Sequence, residues 1–177
     1  MTPTLVTSCT SLPPEGLIFL GAAQRKIAMR EITHTVRVEF GDCDPARIVW
    51  FPNFFRWIDA ASRNYFVQCG VPSWAETERT LGIIGTPLVD TRCRLVNTAS
   101  YGDLLHIHVS IPEWRDKSFV QRYRVVRHDA LNASGTPTLI MECDEVRIFA
   151  KRRAGSDTAI QAVSVPASIR AMCEGSA

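Results

Sequence analysis

The chain has 177 residues, 46% of them apolar, and a formal charge of only +2. That length and composition fit one globular domain with a substantial core. The near-neutral balance supplies no field to draw nucleic acid or a membrane surface, and no apolar run approaches the roughly 20 residues that span a bilayer.

Residues 1–28 differ from the rest. They hold Pro3, Pro13, Pro14, many Thr and Ser, and no sustained periodicity. The expectation is a flexible leader over 1–30 and a single domain over 31–177. The apolar patch Leu17 to Leu20 has no basic stretch before it, so it does not read as a secretory signal. Met29 stands just before the pattern begins, which leaves two candidate starts, Met1 and Met29. There is no internal repeat.

The first predicted strand is Thr35 to Phe40, where Val36, Val38 and Phe40 alternate with Arg37 and Glu39. Gly41 to Val49 is a loop, because Gly, Asp and Pro cluster there. Asn53 is the expected N-cap of a helix running to about Gln68, with Gly70 and Pro72 as stop signals. Phe54, Ile58, Ala61 and Tyr65 share one face of it. Phe55, Asp59, Ser62 and Phe66 form the adjacent stripe. A helix apolar over so much of its circumference must be wrapped. Leu88 to Asn97, Leu104 to Trp114, Phe119 to Arg127 and Leu139 to Lys151 read as strands, with turn signals between them. Val165 to Cys173 reads as a short terminal helix. One strand, one buried helix and then consecutive antiparallel strands make an α+β fold.

The acidic residues raise the chemical question. Asp44 before Pro45 reads as a turn residue on composition alone. A carboxylate at the mouth of a buried helix can also attack a carbonyl or activate water. Asp42 reads as a surface or loop-capping acid. Asp59 sits on an otherwise apolar stripe and needs a partner; Arg63 and Arg56 are within helical reach. The six cysteines lie scattered, with no C-x-x-C pair. They read as free thiols of a reducing cytoplasm. Cys43, between two acids, is a poor nucleophile. His34, His106, His108 and His128 show no metal spacing and read as surface strand residues.

The segment GDCDPARIVWFPNFFRWIDAASRNYF, Gly41 to Phe66, resembles the signature segment of the hotdog-fold acyl-CoA thioesterases, in the 4-hydroxybenzoyl-CoA thioesterase branch. GIIGTPLV (Gly82 to Val89), TASYGD (Thr98 to Asp103), EWRDKSFVQR (Glu113 to Arg122) and DEVRIFA (Asp144 to Ala150) fit as well. The resemblance covers about residues 33–170. It implies a sheet rolled around one long helix, an acyl-CoA substrate, and homodimers that form the active site and pair into homotetramers. It implies no metal or redox cofactor.

The resemblance also implies roles. Asp44 is the catalytic carboxylate, as nucleophile or as base for water. The backbone N–H of Phe51 is the oxyanion donor; the family's tyrosine is phenylalanine here, which leaves the N–H intact. Thr86 approaches the acyl group. Asp59 meets a phenolic hydroxyl across the dimer interface. Arg115, Lys117 and Ser118 take the CoA phosphates. A further family arginine falls at Gln161, with Lys151, Arg152 and Arg153 nearby. The D-P-A-x-I-V element carries Arg47 where glycine is usual; αL geometry would cost an arginine about 1–2 kcal/mol, so an adjusted loop is expected. Arg47 then either pairs with Asp44, meets a CoA phosphate or stays solvated.

The expected function is hydrolysis of an aryl-CoA thioester, 4-hydroxybenzoyl-CoA foremost. The alternatives are benzoyl or short-chain acyl groups, and a module that binds acyl-CoA without hydrolysing it. A hotdog dehydratase would need a histidine in the signature, which is absent. The expected location is cytoplasmic.

Overall fold

The structure, a computed structural model, describes residues 29–128, 136–156 and 158–175. The expected leader therefore lies outside the described residues, apart from Met29 and Arg30. Arg30 already belongs to the domain: its guanidinium donates to the carbonyls of Gln68 at 2.7 Å and Met172 at 3.1 Å.

Six strands are described, β1 (Glu31–Arg37), β2 (Leu88–Leu95), β3 (Leu104–Trp114), β4 (Ser118–Arg127), β5 (Thr138–Arg152) and β6 (Ile160–Val163). The helices are α1 (Pro52–Gln68), α2 (Trp74–Leu81) and α3 (Ala167–Glu174). All strand pairings are antiparallel, in the order β1-β3-β4-β5-β2, with β6 on the last residues of β5. The chain leaves one edge at β1, runs α1 across the sheet face, and joins the opposite edge at β2. It then fills the middle with the meander β3-β4-β5. That order puts the long helix inside the curl of a sheet, as expected.

The predicted helical face is the buried one: Phe54, Ile58, Ala61 and Tyr65 all enter the core. They meet Leu105, Ile107 and Val109 of β3, Phe119 and Tyr123 of β4, and Phe149 of β5. Period-two alternation in β3 sorts these apolar residues inward, while His106 and His108 face outward to Thr35 and Thr33. Each fully buried aliphatic or aromatic side chain contributes roughly 1.5–3 kcal/mol.

Several boundaries differ from expectation. The first strand ends at Arg37, and Phe40 turns outward, 81% exposed, into a 3₁₀ turn (Phe40–Asp42). Asp42 causes this: its carboxylate accepts the Glu39 N–H at 2.9 Å, the loop-capping one of its two expected roles. The helix begins one residue before Asn53, which is no N-cap; it is buried, and its amide donates to the Asp42 carbonyl at 2.9 Å. Helix α2 was not expected, although Ser73 and Glu76 form a capping signal, Ser73 Oγ accepting the Glu76 N–H. Gly82 closes it in αL geometry. Strand β6 was also not expected.

The free-thiol reading needs correction. Cys93 and Cys143 stand directly opposite on β2 and β5, with Cα atoms 4.0 Å apart, and are disulfide-bonded. The spacing along the chain hid a pair that only strand register brings together. Cys43, Cys69 and Cys173 are free.

Candidate active site

Asp44 lies in a tight loop closed by a two-residue bridge between Cys43 and Val49. Its N–H donates to the Ile48 carbonyl at 2.9 Å, and its carbonyl accepts the Arg47 N–H at 2.8 Å. Its side-chain Oδ1 accepts the Ala46 N–H at 2.8 Å. One carboxylate oxygen thus fixes the side chain, and the other has no hydrogen-bond partner among the described residues. This is an Asx turn that also presents an acid. The turn-residue reading and the chemical reading are compatible.

The loop has not adjusted to Arg47. Arg47 keeps φ at +65°, the one non-glycine residue with positive φ among those described. Its N–H bond to Asp44 requires the turn, so the strain stays. The side chain is exposed and has no ion-pair partner among the described residues, which sets aside the inward pairing with Asp44.

Asp44 borders an apolar cavity of about 220 Å³ with Val49, Phe51, Phe54, Leu95 and Ala99. Phe51 is the N-cap of α1, in αR geometry and without a side-chain cap. The Trp50 N–H is taken by the Asp42 carbonyl, the Asn53 N–H by the Trp50 carbonyl, and Pro52 has none. The Phe51 N–H has no partner among the described residues. A free amide at a helix N-terminus, at the wall of an apolar cavity, is an anion donor.

Asp59 and Thr86 lie elsewhere. They line a second cavity of about 430 Å³ with Phe55, Arg63, Pro87, Leu88 and Arg147. A single protomer therefore does not gather the expected catalytic set. The helix start and the β2 edge are apolar and open to solvent, with Trp50, Phe51, Leu88, Val89 and Leu95 each about half exposed or more.

Asp59 has two cationic partners. Arg63, one turn on, is 3.7 Å away, as helical spacing allows; Arg147 of β5 is 3.3 Å away. The second partner was missed. Arg147 is buried, as are Glu145, Gln121 and Ser62, and they form one polar chain through Tyr123. Ser62 donates to Gln121 at 2.7 Å, and the Tyr123 hydroxyl to Glu145 at 2.8 Å. Burial first, and then the Glu145 charge, raise the Tyr123 pKa against the pull of Arg147. The phenol stays protonated. A signal was present: in DEVRIF, Glu145 and Arg147 occupy the same alternation as buried Cys143 and Phe149, the inward face.

The turn from Arg115 to Ser118 lies outside both cavities. Arg115 already forks onto Glu113 at 2.8 and 3.1 Å, and that bond holds the Glu113 carboxyl below its ordinary range. Lys117 is exposed and has no ion-pair partner among the described residues. Arg152 is bonded to Glu78 at 3.0 Å, and Gln161 pairs with Lys151 in the β5–β6 ladder. No group of His, Cys, Asp and Glu that could hold a metal occurs among the described residues.

Residues 38–172 match the model of the thioesterase-like superfamily. The chain is 50% identical over 144 residues to a 4-hydroxybenzoyl-CoA thioesterase of Pseudomonas sp. (strain CBS-3), covering 81% of this chain and 98% of that protein. A crystal structure of a 4-hydroxybenzoyl-CoA thioesterase mutant with 4-hydroxybenzoyl-CoA bound superposes with a TM-score of 0.74 at 49% identity, over 81% of this chain and 99% of that one. A gentisyl-coenzyme A thioesterase follows at 27% identity and a TM-score of 0.62, over 78% and 99%. With its sheet curled over one long helix and its aspartate loop at the helix mouth, the chain is a hotdog-fold protein and belongs to the thioesterase-like superfamily.

Proposed function

We propose that the chain hydrolyses an aryl-CoA thioester, 4-hydroxybenzoyl-CoA foremost, to the free acid and CoA. The observation that carries this is the pairing of Asp44, held by one oxygen with the other available, with the unpartnered Phe51 N–H at the same apolar cavity. The half-identity to a protein of that activity along nearly its whole length supports the substrate.

In this reading Asp44 initiates attack on the thioester carbonyl, as nucleophile or as base for water. Negative charge grows on the carbonyl oxygen, and the Phe51 N–H receives it. An oxyanion donor of this kind contributes about 3–4 kcal/mol to the transition state. The C–S bond then breaks and CoA leaves as thiolate, taking up a proton. On the base route this frees the acid directly; on the nucleophilic route water then opens the acyl–Asp44 anhydride, releasing the acid and restoring the carboxylate.

Asp59 and Thr86 join the site from a second copy. β2 is an edge strand with an exposed apolar flank beside the open helix start. Pairing that edge with its own copy would continue the sheet and set one protomer's Asp44 cavity against the other's Asp59 cavity. We take a homodimer as the catalytic unit and a homotetramer as its assembly. Asp59 then faces the acyl hydroxyl and Thr86 the acyl group. Lys117, Ser118 and the outward Arg47 take the CoA phosphates, and Arg115 joins them by exchanging Glu113 for phosphate. The domain takes in Arg30 as well as 31–177, and the location is cytoplasmic, with the Cys93–Cys143 disulfide an exception to its reducing chemistry.

The test is thiol release over a panel of 4-hydroxybenzoyl-, benzoyl-, short-chain and long-chain acyl-CoA. The highest kcat/KM is expected on 4-hydroxybenzoyl-CoA. Preference for a short-chain acyl group would transfer the assignment, and binding without thiol release would make the protein a sensor.

A further inference from the structure

We infer that Arg147 is a positioning residue for acyl-group recognition, holding Asp59 in the one geometry that distinguishes a hydroxylated aryl group from a plain one. This rests on the reading that Asp59 meets the acyl hydroxyl.

Arg147 ties three parts of the chain together. Its Nε donates to Glu145 Oε2 at 2.7 Å, its Nη1 to the Thr86 carbonyl at 3.1 Å, and its Nη2 to Asp59 Oδ1 at 3.3 Å. These lie on β5, on the segment between α2 and β2, and on α1. The side chain is only 8% exposed, and Glu145 beneath it 3%. A buried guanidinium needs a counter-charge. Glu145 supplies it at the shortest of the three contacts, so Arg147 does not depend on Asp59 for neutrality.

Asp59 is therefore held without being used up. Its side chain is 53% exposed toward the cavity. Its other cation, Arg63, is 3.7 Å away and 65% exposed, a solvent-screened pair that fixes little. The rigid anchor is the buried one. Glu145 is itself fixed by Tyr123 at 2.8 Å, so the anchor reaches back into β4. A planar fork with fixed donor directions does this; a lysine ammonium would not. The same fork holds the Thr86 carbonyl, so the acyl pocket's two walls are set by one side chain. Discrimination on a hydroxyl requires an acceptor held at a fixed place, and that is what the fork provides.

The test compares kcat/KM for 4-hydroxybenzoyl-CoA and benzoyl-CoA in the full chain, with melting temperature as a control. Arg147→Lys keeps the charge and loses the fork; the substrate ratio should fall at least about tenfold. Glu145→Gln leaves Asp59 untouched and loosens the anchor, and it should move the ratio the same way. In Asp59→Asn the ratio should fall, and adding Arg147→Lys should lower it no further, since both act through one contact. An unchanged ratio in folded Arg147→Lys or Glu145→Gln, or additive losses in the double variant, overturns the inference alone. An unchanged ratio in Asp59→Asn overturns it together with the reading of Asp59 beneath it.

Discussion

Arg47 permits a quantitative prediction, because backbone and side chain make separable contributions there. Its φ of +65° is αL geometry, which costs an L-residue roughly 1–2 kcal/mol. Glycine escapes that cost but loses about 0.5–1 kcal/mol through the freer unfolded chain. Arg47→Gly should therefore stabilise by about 0.5–1 kcal/mol, or roughly 1–4 °C in melting temperature at this chain length. Arg47→Ala removes the same guanidinium and keeps the strain, so it should melt at or slightly below wild type. The difference between the two variants isolates the backbone. Thermal melts of the three proteins decide it; a glycine variant melting below the alanine variant would refute the strain argument. Kinetics of Arg47→Gly read the side chain. KM for acyl-CoA should rise with kcat little changed, the mark of lost uniform binding. A higher kcat at unchanged KM would show that Arg47 restrains Asp44.

Three further outcomes are expected. Phe51→Pro removes the free N–H at a φ of −51° that proline accepts; kcat should fall about 10²–10³-fold while Phe51→Ala, which keeps the N–H, falls far less, and equal kcat in both would dismiss the amide as oxyanion donor. Peptide mapping without reductant should find Cys93 linked to Cys143, and denatured protein should gain two thiols on reduction; no gain would return the pair to free thiols. A hydrogen bond from the Cys173 thiol, aided by Arg30 against burial, lowers the Cys69 pKa from 9.0 to about 7, so between about pH 7 and 9 the folded chain has released a proton that the unfolded chain still binds, and stability should rise with pH. Above that window Cys173 and Tyr65, both raised, reverse the slope. Denaturant melts at pH 6.5 and 8.5 test this, and Cys69→Ser should flatten the rise; a rise undiminished in Cys69→Ser would place its source elsewhere.

What the sequence made legible follows a physical divide. Repeating patterns were readable: the alternation of Leu105, Ile107 and Val109 placed β3 to the residue, and the Phe54–Tyr65 spacing gave the buried helical face. Local signals competed with these at the ends. Phe40 continued the strand's alternation, yet the Asp42 carboxylate claimed the Glu39 N–H and turned the chain. Asn53 looked like a cap because asparagine favours that position before an apolar helical run, but the Asp42 carbonyl took its amide. Contacts set by register were not legible. Cys93 lies 50 residues from Cys143, and Arg147 lies 88 from Asp59; only the sheet brings them together. Asp44, Phe51, Asp59 and Thr86 were named from the resemblance, yet their division between two cavities of one protomer emerged only in three dimensions.

The most direct test of the account is Asp44→Asn. Asparagine keeps an Oδ1 to accept the Ala46 N–H, so the loop should hold its shape and only the charge is lost. Thiol release from 4-hydroxybenzoyl-CoA should fall at least about a hundredfold, the scale of one nucleophilic or acid–base contribution, while binding of the substrate persists. Turnover like the wild type in the purified variant would remove Asp44 from the chemistry and contradict the account at its centre.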